Sequence, residues 1–449
     1  MTLDKKVLKK SAVYLVFAVM IYMALSYASR MIGDDGVNFN EVMGKGTLET
    51  VKYEFAKAKA WNCRYLLMTM YFFLLKFKDG IFCRPFIGAA FAVLAYSIER
   101  IFAIMTNEEE TPIWKSVLAC AAVICFPLYF ILNVGVLVTP FNYVVPACFL
   151  GVAMIVICKI YQGDTVKIWE YILAFACLYI GASQEQLSSL IFGMLLVMSI
   201  LTLVKKQIKP WLYAYLALSL IRFLTAAFYP GNEARMRLEA SAYYQAYYSL
   251  GFLEKIYLGY YTTLKSLFGD YPIQLFLLSA MLCLIIFKKE TDDLARFLGT
   301  LPMLVFGMMS VFANVVFSGG ARLADFLEME INVENIEYTR GYVVVFFSVL
   351  LFLNLALNIY LAFGDSLDAF LPVALFIGGI CTKVITGMST GLYISGERTS
   401  YALYLCMLMV TYGACVRYEK IGNANVAKVS RWVVIAFAIG YYMTAFVYF

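Results

Sequence analysis

Apolar runs of roughly 16 to 25 residues recur from one end of this sequence to the other, each able to cross about 30 Å of hydrocarbon. A backbone in lipid must satisfy its own polar groups, so runs of this length read as helices. They are drawn at 11–29, 65–78, 81–105, 113–132, 140–160, 168–183, 187–204, 211–229, 271–287, 294–317, 341–363, 367–386, 401–416 and 430–449. The expectation is an all-α, polytopic transmembrane helical protein of about 13–14 spans, a single integral-membrane domain over residues 1–449. Composition agrees, with 63% hydrophobic and 15% charged residues, against about 25% charged in a soluble domain.

What is missing narrows the chemistry. The chain has no histidine, which removes Ser-His-Asp triads, histidine general bases and His-ligated zinc. Most of its 11 cysteines sit inside apolar runs, where a free thiol behaves as a small hydrophobe, so no disulfide framework is expected. A net charge of +6 spread over short loops does not indicate a nucleic-acid partner.

Loop charge orients the spans. Lys5, Lys6, Lys9 and Lys10 precede the first run and place the N-terminus in the cytoplasm, with no cleavable signal peptide evident. Segments 30–64, 133–146, 183–186, 229–270, 318–340 and 387–401 then face outward. These assignments do not quite close. Two drawn runs separate a cytoplasmic 76–84 from an external 133–146, and two crossings return to the starting side, so one run within 81–132 is misdrawn or re-entrant.

The first external loop is the richest in chemistry. Asp34 and Asp35 lie between Gly33 and Gly36, where a sharp turn can aim one carboxylate inward; a solvated helix end would read the same. Residues 45–59 follow as a helix lying along the membrane surface, with Leu48, Val51, Phe55 and Ala58 on one face. Trp61 and Arg64 close the loop at the interface, Arg64 either snorkelling or binding a phosphate oxygen. Further on, Asn142 and Tyr143 sit in a proline-interrupted loop that offers hydrogen bonds to a polar ligand. Glu185 stands between two apolar runs and needs a partner or a proton; a functional carboxylate and a structural ion pair with Arg222 or Arg235 would read the same. Pro230-Gly231-Asn232 with Arg235, and Gly396-Glu397-Arg398, are polar elements assigned to the same side.

Taken in order, Asp34-Asp35, Trp61-x-x-Arg64, Asn142-Tyr143-x-x-Pro146, Glu185, Pro230-Gly231-Asn232-x-x-Arg235 and Gly396-Glu397-Arg398 resemble bacterial polytopic proteins of the GT-C superfamily. The resemblance implies a GT-C-like fold and a glycosyltransferase. Its donor would be a sugar on polyprenyl phosphate, and its acceptor a cell-envelope glycan, such as lipopolysaccharide O-antigen, or a lipid-linked saccharide. Transfer would occur on the outer face of the bacterial cytoplasmic membrane, with inversion. Carried over residue by residue, Asp34 or Asp35 is the catalytic base, and Arg64, Arg235 and Arg398 bind the donor phosphate. Trp61, Asn142, Tyr143, Glu185, Asn232 and Glu397 contact the substrates. No cofactor is fixed by the residues; Asp34, Asp35 and Glu185 could form an oxygen-ligand site for Mg2+ or Mn2+. The alternatives carried are a transporter or flippase, or a polymerase or ligase, for lipid-linked saccharides.

Overall fold

The computed structural model describes residues 5–28, 33–61, 63–77, 80–311, 335–336, 339–364 and 366–449; most of the expected external segment 318–340 lies outside them. Helices account for every long regular element among the described residues. The chain opens with α1 (Lys5–Tyr27), α2 (Asp34–Val42), α3 (Thr47–Trp61), α4 (Tyr65–Lys76), α5 (Cys83–Met105), α6 (Ile113–Val123) and α7 (Leu128–Leu132). There follow α8 (Val138–Gln162), α9 (Ile168–Gly181), α10 (Glu185–Val204), α11 (Pro210–Ala227), α12 (Pro230–Tyr243) and α13 (Phe252–Leu264). The remainder is α14 (Pro272–Lys289), α15 (Asp293–Val311), α16 (Thr339–Phe363), α17 (Phe370–Val384), α18 (Leu392–Ser395), α19 (Tyr401–Ile421) and α20 (Ala424–Val447). Among the described residues ten helical segments are long and apolar enough to cross a membrane, which makes this a polytopic helical membrane protein.

Four of the fourteen drawn runs are not among those ten: 294–317, described only as α15 up to Val311, and three that come out shorter than a crossing. Runs 65–78 and 168–183 form helices of 12 and 14 residues, about 18 and 21 Å long. Run 113–132 is broken into α6 and α7. Pro127 has no N–H to give a continuing helix, and its ring disfavours helical backbone at the residue before it, so α6 stops at Val123 and a short α7 restarts at Leu128. Run 113–132, drawn as one span, is thus two helices.

The chain divides into two compact units, Met1–Arg235 with Val434–Phe449, and Met236–Val433. In lipid, helices gain little from hydrophobic burial against one another, and close backbone approach at small residues does the joining. In the first unit a Cβ on Gly88 of α5 would lie 2.6 Å from the carbonyl oxygen of Ala18 in α1, and one on Gly181 of α9 would lie 2.8 Å from that of Pro146 in α8. Alanine at either position would push two helices apart. The second unit packs around α19, whose Tyr401, Tyr404 and Tyr412 are almost wholly buried.

Two short helices build the first loop. The face expected over Leu48, Val51, Phe55 and Ala58 divides: Leu48 is 65% and Phe55 43% exposed, whereas Ala58 turns inward with Thr50 and Glu54, whose burial against the protein sets how α3 lies. Lys57 ties α3 to α2 through Glu41 at 2.5 Å and Asn38 at 3.3 Å. Asn142 and Tyr143, expected in a loop, lie within α8 instead. Pro140 falls in the first turn of that helix, where the N–H it lacks would have had no partner, so the helix starts before the prolines that were read as breaking it. The expected loops at 229–270 and 387–401 are also largely helical, in α12, α13, α18 and short 3-10 and π turns.

Candidate functional site

Gly33 sets the geometry of the acidic pair. Its φ is +55°, a left-handed conformation, and a Cβ there would lie 2.2 Å from the carbonyl oxygen of Val134. The turn starts α2 at Asp34, so both carboxylates sit in a first helical turn, the favourable end of the helix dipole. Asp34 donates its backbone N–H to Val134 at 3.1 Å.

From here the two aspartates diverge. Asp35 has no exposed surface. Its Oδ1 accepts from the Tyr71 hydroxyl and the Val138 N–H, and its Oδ2 from the Leu137 N–H, each at 2.8 Å. It thus caps the N-terminus of α8 from a hundred residues away in sequence, satisfying donors that the helix leaves open. Burial pushes the Asp35 carboxyl up from its usual range, and its three donors and the Asp34 charge bear on it from opposite directions. Asp34, by contrast, is exposed. Of the pair, only Asp34 is open to solvent.

A second anchor lies one turn further along the same helix. Arg64, at the N-terminus of α4, donates to Asn142 Oδ1 at 3.2 Å and forms an ion pair with Glu185, the first residue of α10. Val138 and Asn142 are four residues apart on α8, about 6 Å along its axis, so the aspartate anchor and the arginine anchor hang from one helix end. The Arg235 charge also bears on Glu185, and the Tyr143 hydroxyl on Arg64. The partner of Glu185 is therefore Arg64 in the first place, with Arg235 second. Asn232 uses its Nδ2 to bond the carbonyl of Ala226 at 2.6 Å, closing the end of α11. Gly231 packs on the end of α3, where a Cβ would lie 2.7 Å from the Trp61 backbone nitrogen, and the Trp61 side chain is 39% exposed.

One residue at this site escaped the sequence reading as a ligand-binding group. Arg222 lies in the apolar helix α11 and is only 3% exposed. Its guanidinium stands 4.5 Å over the ring of Tyr179, whose hydroxyl is 2.7 Å from that of Tyr65. Among the described residues Arg222 has no hydrogen-bond or carboxylate partner, and its Nε is buried without one. Its charge reaches Cys63 and Tyr65, on either side of Arg64. The available signal was a lone arginine inside run 211–229, since a charge in an apolar span marks a functional position by default. Arg64 and Arg235 thus bear on the half-buried Glu185 carboxylate, while Arg222 bears on Cys63 and Tyr65 on either side of Arg64, an excess of positive charge that favours an anion.

Glu397 and Arg398 belong to the second unit. There Glu397 accepts from Ser266 Oγ at 3.4 Å, and the buried Lys383 donates to Thr399 at 2.6 Å. Burial and the neighbouring Glu397 carboxylate push Asp270 up to about 7.

The residues weighed as a divalent-ion site do not gather into one. Both oxygens of Asp35 face N–H and O–H donors, which a cation would displace, and Glu185 is held by Arg64. Among the described residues no cluster of three acidic or cysteine side chains is placed to hold a metal. No protein-family model, no curated protein and no solved structure matches this chain.

Proposed function

We propose that this protein is a membrane glycosyltransferase that moves a sugar from polyprenyl phosphate to a hydroxyl of a cell-envelope glycan or lipid-linked acceptor, outside the cytoplasmic membrane. The observation that carries the reading is Arg222, a guanidinium buried in an apolar helix with no counter-charge among the described residues. A buried charge of this kind costs several kcal/mol unless an anion joins it, and the phosphate of a lipid brings both the charge and a tail that the membrane accepts. Exposed Asp34, held on a rigid turn, supplies the base.

The step follows from those roles. The acceptor hydroxyl gives its proton to Asp34 as its oxygen attacks the anomeric carbon. The bond from that carbon to the phosphate oxygen breaks on the opposite face, and its electron pair leaves with the polyprenyl phosphate. The configuration inverts. Arg222 and Arg235 stabilise the charge growing on the phosphate, and Arg64 holds Glu185 beside them. Asp35 acts through α8, as a positioning residue.

A second reading rests on a different observation. The carboxyls of Asp270 and Glu397 with the buried Lys383 form an ionisable group among the helices of the second unit, as the proton path of a lipid-linked-saccharide transporter would. Purified protein in detergent, given polyprenyl-phosphate sugar, separates the two. Free polyprenyl phosphate released only in the presence of acceptor supports transfer. Movement of substrate that requires a sealed vesicle, with no turnover in detergent, supports transport and overturns the enzyme reading.

A further inference from the structure

A cavity of about 450 Å3 opens on the flank of the first unit, and none of the aspartates and arginines above lines it. Three helices wall it: α1 through Val16 and Met20, α6 through Cys120 and Ala121, and α20 through Ala438 and Ile439. The lining is apolar except at one end, where Lys9 sits, and Tyr442 closes the other by donating its hydroxyl to the Met20 carbonyl at 2.8 Å. From Lys9 to Met20 the slot runs about 16 Å along α1, roughly half of a 30 Å hydrocarbon layer, the depth of one leaflet.

The lysines at this end of α1 are not equivalent. Lys6 pairs with Glu110 at 2.8 Å and Lys10 with Glu99 at 3.3 Å. Lys9 is exposed, and among the described residues no carboxylate meets it. A cation without a counter-charge therefore stands at the head of a slot one leaflet deep.

We propose that this slot is a binding site for one acyl chain of an anionic phospholipid, with Lys9 against the headgroup phosphate. Water in such a slot would find no hydrogen-bond partners, and an empty slot would forfeit dispersion contacts along all three helices. An acyl chain fills it from the surrounding lipid. The headgroup supplies the counter-charge to Lys9.

The test is native mass spectrometry of the full chain in detergent, with phosphatidylglycerol and phosphatidylcholine of identical chains as probes. The wild type is expected to retain one phosphatidylglycerol per chain, roughly five-fold over phosphatidylcholine, the preference that one lysine near a lipid surface confers. Lys9→Gln, at an exposed position, abolishes that preference, and Val16→Trp, at the slot's exposed rim, lowers retention of both lipids. Equal retention of the two lipids by the wild type, or an undiminished preference in Lys9→Gln, overturns the proposal. So does preferential retention of undecaprenyl phosphate, or a dimer that Val16→Trp dissociates, since either gives the slot to another occupant.

Discussion

The carboxylate of Asp35 accepts the backbone N–H of Val138 at 2.8 Å, so the second residue of an acidic pair in the first loop caps a helix that starts a hundred positions later. That bond decides how the pair divides its work.

Asp35→Ala should strand three donors in a buried site, lowering stability by about 2–4 kcal/mol at the price of a loosened α8. Asp34→Asn should leave the unfolding temperature within about one degree of wild type and remove transfer. Thermal unfolding in detergent, run beside an assay of polyprenyl phosphate release, checks both. An Asp34→Asn protein that is fully active sinks the assignment of the base.

Arg64 and Glu185 should behave as one unit. Replacing either alone with Gln leaves a partly buried charge beside a neutral partner and should cost about 3 kcal/mol, whereas the double variant should lose less than the two single losses together. A double-mutant cycle on unfolding in detergent measures the coupling, and additive losses would show that the pair is not coupled.

Arg222→Met should leave the free protein as stable as wild type or more so, because it replaces an unpartnered buried charge with an apolar side chain of similar length. The cost should appear with ligand. Polyprenyl phosphate at about 100 times its dissociation constant should stabilise wild type by about 2.7 kcal/mol and the variant far less. Equal stabilisation of both would remove Arg222 from the phosphate site.

Glu54 should make stability fall as pH rises. Burial pushes its carboxyl up to about 8, so the folded chain keeps a proton that the unfolded chain releases near pH 4.3. Its contribution is full below about pH 4, declines through the interval up to about pH 8, and is constant beyond. The total loss is a few kcal/mol, taking about 1.4 kcal/mol per unit. Glu54→Gln should flatten this part of the profile and unfold at a higher temperature at pH 8. Parallel profiles for the two proteins would count against a neutral Glu54.

Much of this architecture was written in one dimension. Run length and the exclusion of bare backbone from lipid are local properties, so the helical, membrane-spanning character and the helix of the first loop follow from the residues themselves. A conflict of charge counts on either side of 81–132 was legible as well, but not which run it concerned. The approximate places of Asp34, Asp35, Arg64, Asn142 and Glu185 were also visible, since polar groups between apolar runs are costly wherever they occur.

What no stretch of sequence could determine is which of those groups meet. Asp34 and Asp35 are neighbours of identical chemistry, and only the arrival of α8 buries one and leaves the other exposed. Arg64 pairs with Glu185, and Arg222 stays without a counter-charge among the described residues, because α4, α10 and α11 place them so. The reason is the range of the interactions. Span formation depends on hydrogen bonds four residues apart, whereas the pairing of charges depends on contacts between helices far apart in the chain, whose positions no local pattern encodes.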